Sequence, residues 1–179
     1  MKAKMGTVLA GLLLLAGCAT KTPDVTTHYD TISGLRTDLM SDNMLETPQQ
    51  PPREVVWLNA SRVFRDLRNS RGEYYLEVNY EAREETGFLN IPVGATLTVV
   101  ADGRELRFIG NGSFNQRKKL KRGLVYETAL YKVTRDNLLT IANAKQVKVK
   151  IRGDNGLVER DFSAENFKRF QEFMTNTRV

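Results

Sequence analysis

ATLTVVADGRELRF, residues 95–108, decides the reading of the fold. Its central Asp102-Gly103 suits a type I′ turn, whose twist matches the right-handed twist of the strands it joins. A two-residue loop sets Val99 opposite Leu106 and Leu97 opposite Phe108 on one face. Thr98 with Arg107 and Val100 with Glu105 then fall on the other. The register required by the turn is also the one required by the apolar residues, because a slip of one residue would expose all four. An antiparallel sheet follows, and the flanking sequence extends it.

Downstream, Leu124 to Val133 reads as a strand with Tyr126 and Leu130 on one face and Val125, Ala129, Tyr131 and Val133 on the other. Apolar residues on both faces predict a central strand covered on both sides. Thr134 suits a helix N-cap, with Asp136 in the first turn and Leu138, Leu139, Ile141 and Ala142 as a stripe. That helix ends near Ala144. Lys145 to Phe162 predicts a second hairpin turning on Asn155-Gly156, with Val149 against Phe162, Lys150 against Asp161 and Arg152 against Glu159. Ser163 caps a last helix, in which Phe167, Phe170, Phe173 and Met174 recur at helical spacing and read as core.

Upstream, Tyr74 to Ala82 alternates Tyr74, Leu76, Val78, Tyr80 and Ala82 with polar neighbours, a half-buried strand. It is expected to pair antiparallel with Val56 to Phe64, across turn chemistry at Asn69-Ser70-Arg71-Gly72. Leu35, Thr37 and Leu39 mark a first strand. Thr47 to Pro52 holds three prolines and reads as a loop, since each proline removes a ladder donor. The fold class expected is α+β: a predominantly antiparallel sheet or two-layer sandwich of roughly seven strands, with a short helix after Val133 and a C-terminal helix.

The first residues do not belong to this pattern. Lys2 and Lys4 precede an apolar block, Val8 to Leu15, which ends on Leu15-Ala16-Gly17-Cys18. The order of charge, apolar run and small residues is that of an export signal. The block is shorter than the ~20 residues a helix needs to cross a bilayer. Leu15-Ala16-Gly17-Cys18 resembles the lipobox of bacterial prolipoproteins, a family defined by its signal and not by its fold. The resemblance implies cleavage before Cys18, a diacylglyceryl group on its sulfur and an acylated new amine. It also implies that Ala19, where an aspartate would favour the inner membrane, favours the periplasmic face of the outer membrane. The expected organisation is a signal at 1–17, a tether at 18–29 and one domain at 30–179. Three acyl chains, at about 0.8 kcal/mol per buried CH₂, exceed what stable anchoring requires.

Composition restricts the chemistry. Cys18 is the only cysteine and His28, placed on the tether, the only histidine. The core of the domain therefore has no thiol nucleophile and no His-based triad, and the sequence has no zinc motif or glycine-rich phosphate loop. Loss of Lys2 and Lys4 takes the formal charge of +6 to about +4, too weak to imply nucleic acid. Glu84-Glu85 is the most exposed acid pair and reads as a solvated loop. Arg117, Lys118, Lys119, Lys121 and Arg122 place five cations in six residues between two strands. They read either as a solvated loop or as a contact for an anionic surface. The expectation is a non-catalytic, lipid-anchored envelope protein without cofactor or metal, binding a protein partner or envelope assembly. The alternatives are a lipid or anionic-polymer carrier and, behind it, a carboxylate hydrolase.

Overall fold

Alternation of side chains shapes most strands of the computed structural model, which describes residues 25–47, 52–65 and 72–175, and a β-bulge between Ala95 and Leu97 interrupts it in the strand 94–101. The elements in order are β1 (Thr26–Asp30), β2 (Leu35–Met40), β3 (Glu54–Phe64), β4 (Glu73–Arg83), β5 (Gly94–Ala101) and β6 (Arg104–Gly110). A 3₁₀ turn (Phe114–Gln116), β7 (Arg117–Leu120), β8 (Leu124–Val133), α1 (Arg135–Asn143), β9 (Val147–Gly153), β10 (Gly156–Asp161) and α2 (Ala164–Thr175) complete it. The ten strands among the described residues form one sheet, ordered β1-β2-β3-β4-β8-β6-β5-β9-β10, with β7 also paired to β8. Every strand pair is antiparallel. The fold is thus α+β and mostly antiparallel sheet. The sheet is continuous, with three more strands than the sequence led us to expect.

Most of the expected local chemistry is present. The β5–β6 register is the one that Asp102-Gly103 dictates, with Val99 opposite Leu106 and Leu97 opposite Phe108. Asp102 and Gly103 have φ of 48° and 85°, the left-handed pair that a type I′ turn demands. β3 and β4 pair with Val56 opposite Tyr80 and Leu58 opposite Val78. Thr134 caps α1 in a reciprocal box with Asn137. Ser163 does the same for α2 with Asn166, whose Oδ1 accepts from the Ser163 N–H at 2.8 Å.

One face of the sheet is sealed. On this inner face Val56, Leu58 and Ala60 of β3, Leu76, Val78 and Tyr80 of β4, and Val125, Ala129 and Tyr131 of β8 are buried, in one core shared with Leu138 and Ile141 of α1 and Phe170 and Phe173 of α2. Phe162 stacks against Phe170 with centroids 5.2 Å apart. Gln171 donates to the Ala142 carbonyl at 3.1 Å, tying the two helices together. Near one end of the sheet order, Arg160 Nη2 of β10 reaches Glu54 Oε1 of β3 at 2.5 Å, so the sheet curls around this core. The corner lies where β6 meets β8 through Gly110 and Tyr131. A Cβ at Gly110 would come within 2.6 Å of the Tyr131 ring, so only glycine lets the two strands close there.

Three expectations are corrected. Residues 26–29 are not tether but part of β1, with Thr27 Oγ1 donating to Asp38 Oδ1 at 2.8 Å. An edge strand whose side chains are mostly in solvent needs no apolar period, which is why the sequence hid it. The β9–β10 hairpin turns on Asp154-Asn155, not Asn155-Gly156, and sets Lys150 opposite Glu159 and Lys148 opposite Asp161. The difference of two residues keeps every side chain on its expected face, so alternation could not detect it. Contacts outside the hairpin decide it: the N–H groups of Asp154 and Asn155 donate to the carbonyls of Asn90 and Leu89 at 3.0 and 3.2 Å. Finally, β8 is central in strand order but covered on one side alone, since Leu130 on its other face is 44% exposed.

Candidate functional site

The face of β3, β4 and β8 turned away from the core has no covering element among the described residues. The pairings lay its side chains in rows: Val55, Glu81, Tyr126 and Lys118; then Met44, Trp57, Asn79 and Thr128; then Asn59, Glu77 and Leu130; then Leu39, Ser61, Tyr75 and Lys132. Met44 joins because the chain after β2 continues beside β3, with Leu45 N–H donating to the Val56 carbonyl at 2.9 Å. Met44 is 55% exposed, and Trp57, Tyr75 and Tyr126 are half-buried among their neighbours.

Polar groups on this face are already bonded to one another. Thr128 Oγ1 donates to Asn79 Oδ1, and Asn79 Nδ2 to Glu77 Oε1, both at 2.8 Å. Lys132 Nζ and the Tyr75 hydroxyl donate to Glu73 at 2.9 Å. With Arg65, these donors hold the Glu73 carboxyl down at about 2, the Lys132 bond being the largest cause. Desolvation raises the Tyr126 phenol above its ordinary value, and the nearby Glu77 and Glu81 charges add to the shift. The face combines aromatic and thioether side chains with a polar lattice whose Asn79, Thr128, Glu77 and Glu73 groups are already bonded. What it can do is bury area against another surface.

The residues singled out in the sequence fall elsewhere. Cys18, with the signal and most of the tether, lies outside the described residues, as does most of the proline loop. His28 is exposed on β1, opposite Thr37. Glu84 and Glu85 sit exposed in the turn after β4, with Glu84 Oε1 3.3 Å from Lys119 Nζ. The basic run is not a loop: it makes β7 and the turn into β8, and its members diverge. Arg117 turns inward, 3.4 Å from Glu127 Oε2 and 5.6 Å from the Phe114 ring centroid. Lys118, Lys121 and Arg122 stay in solvent.

Glu127 is what sequence reasoning missed. It is a carboxylate on the sealed face of β8, 0% exposed. Ser113 Oγ donates to its Oε2 at 2.6 Å and the Asn90 N–H to its Oε1 at 3.0 Å, while Arg117 Nε donates to Ser113 Oγ at 3.1 Å. The one available signal was an acid in the inward alternation of Val125, Ala129 and Tyr131. A serine beside a carboxylate invites a nucleophilic reading. Ser113 is also 0% exposed, however, so no substrate carbonyl can approach it. The cluster clamps two crossing segments, 88–93 and 111–117, to β8 and satisfies their polar groups. Among the described residues no group of three or more His, Cys, Asp or Glu could hold a metal, and no helix is long and apolar enough to cross a membrane.

Comparison with known proteins supplies no relative: no family model, no curated protein and no solved structure matches this chain.

Proposed function

We propose that this protein is a cell-envelope lipoprotein, held to a membrane by acyl chains on Cys18, whose domain is non-catalytic and docks a protein partner of the envelope on the open face of β3, β4 and β8. The observation that carries the docking surface is the asymmetry of the sheet: one side shares the core with two helices, while on the other Met44, Trp57, Tyr126 and Leu130 have no covering element among the described residues. Trp, Tyr and Met are the residue types that concentrate at the buried centre of protein interfaces. The anchor rests on the resemblance of Leu15-Ala16-Gly17-Cys18 to a lipobox, and the periplasmic face of the outer membrane on Ala19.

The test is site-specific photocrosslinking in the native envelope. A photoreactive side chain at Trp57 or Tyr126 is expected to trap one discrete partner, and the same group at the exposed Arg107, on the other half of the sheet, is expected to trap none. Equal trapping at all three positions, or none at any, would remove the docking face. Mass spectrometry of Cys18 tests the anchor separately: an unmodified thiol on the mature protein removes it.

A further inference from the structure

We propose that the β7–β8 hairpin is the part of the domain that lies against the bilayer, with its free cations on the phosphodiester headgroups of an anionic leaflet. The inference rests on the lipid-anchor reading and adds to it the end of the domain that faces the membrane.

The pairings align Thr26, Leu39, Ser61, Tyr75 and Lys132 in one row across five strands. Moving backwards out of β1 from Thr26 is moving along β2 past Leu39, down β3 toward Glu54, up β4 toward Arg83 and down β8 toward Leu124. The chain therefore enters the sheet from the end that carries the β7–β8 turn. The β1–β2 turn, residues 31–34, lies at the opposite end.

Reach agrees with direction. Lys132 stands eight residues from Leu124 along β8, about 27 Å at roughly 3.4 Å per residue. Thr26 stands eight residues from Cys18, a span of at most about 26–29 Å. A fully extended tether thus spans about the same length as β8 does from this row to the hairpin tip. Setting the other end down would require the tether to double back past the domain.

Charge selects the surface. Arg117 is held by Glu127 and Lys119 is shared with Glu84, which leaves Lys118, Lys121 and Arg122 in solvent around the 39% exposed Leu120. The same end holds Arg83, and together these cations outnumber Glu84 and Glu85. Arg122 has φ of 65°, a left-handed conformation that Gly or Asn would adopt at less cost. Three cations within reach of an anionic leaflet shift the balance between docked and free domain on the order of a hundredfold.

The test uses the mature, lipidated chain in vesicles of phosphatidylcholine with or without phosphatidylglycerol. Because the acylated Cys18 has no free thiol, Leu120→Cys, Lys121→Cys and Ile32→Cys can each carry a single fluorophore, read against a spin label at headgroup depth. Ile32 is 97% exposed in the turn at the far end. Quenching at positions 120 and 121 is expected to exceed that at 32 several-fold in anionic vesicles. It should fall to the level of position 32 without phosphatidylglycerol, or when Lys118→Glu, Lys121→Glu and Arg122→Glu are combined in the Leu120→Cys chain. Stronger quenching at position 32, or equal weak quenching at all three, overturns the orientation while leaving an acylated anchor standing. A mass showing Cys18 unmodified overturns the anchor and the orientation together.

Discussion

Along β3, β4 and β8 the two faces of the sheet are written in the same two-residue alternation, yet they meet different fates. On the inner side Tyr131, Leu58 and Leu76 are 0% exposed in the core they share with both helices. On the outer side Trp57, Tyr75 and Tyr126, residues as large, are half-buried, with only strand neighbours around them among the described residues. Even the acids differ. Glu127 and Asp38, on the inner side, are buried and fixed by two or more donors each, whereas Glu81 and Glu77 on the outer side keep contact with water. The lesson is that side-chain type does not decide which face is structural: the chain that folds over the sheet does. Inner-face substitutions should therefore cost stability, and outer-face substitutions should cost attachment to the partner.

The largest effect is expected at Tyr131, whose ring fills the corner against Gly110 and whose hydroxyl shares a 2.9 Å hydrogen bond with Thr96. Tyr131→Ala should destabilise the domain by about 3–5 kcal/mol, measured by urea denaturation followed by circular dichroism. A loss as small as that of an outer-face residue would mean the corner is not closed as described.

Asp38→Asn should cost about 3 kcal/mol, because Arg62, whose Nε lies 2.6 Å from the carboxylate, would remain buried beside a neutral group. Its pH dependence gives a second reading. Burial alone would raise the Asp38 pKa, but bonds from Arg62, Thr27 and Arg36 outweigh it and hold the group below 3.8. The stabilisation is thus complete above the unfolded value of 3.8 and disappears as pH falls through the lower folded value. Thermal melts below pH 4 should show this component in the native protein and lack it in Asp38→Asn.

Glu127→Gln keeps the shape but loses the charge that Ser113 and Arg117 address, and should cost about 1–3 kcal/mol. Amide exchange should quicken at Asn90, whose N–H donates to this carboxylate. Protection at Asn90 unchanged from the native protein would show that the clamp does not hold segment 88–93.

Smallest in stability is Trp57→Ala combined with Tyr126→Ala on the outer face. The pair should cost no more than about 1–2 kcal/mol, leaving a cooperative melt, yet abolish recovery of the crosslinked partner. A partner retained at native levels would show that the open face is not its seat.

Legibility followed the range of the forces involved. The β5–β6 hairpin was readable from its turn to Leu97 opposite Phe108, because Asp102-Gly103 and four apolar residues require one register there, whereas the β-bulge between Ala95 and Leu97 left no such signal. Thr134 and Ser163 were readable as caps because a cap bonds within its own turn. The β9–β10 hairpin carried an equally clear turn signal and was misregistered, since its turn is held by Leu89 and Asn90, more than sixty residues upstream. A Cβ on Gly153 would lie 2.0 Å from the Leu89 carbonyl oxygen, a constraint no reading of 145–162 alone contains. The basic run looked like one feature and is three, because Arg117 answers a carboxylate ten residues away on β8.

The sequence by itself determined the period of β4, β6, β8 and β9, the turn at Asp102-Gly103, the two helix caps and the absence of a second cysteine or histidine. These are properties of composition or of neighbours within a few residues, where backbone conformation and side-chain direction are fixed together. Tertiary structure alone decided which face of β8 is covered, where the last hairpin turns, that residues 26–29 join the sheet, and that Glu127 is buried with Ser113 and Arg117. Each of those depends on desolvation and hydrogen bonding between segments distant in the chain, energies that exist only once the sheet has curled and the helices have closed one side of it.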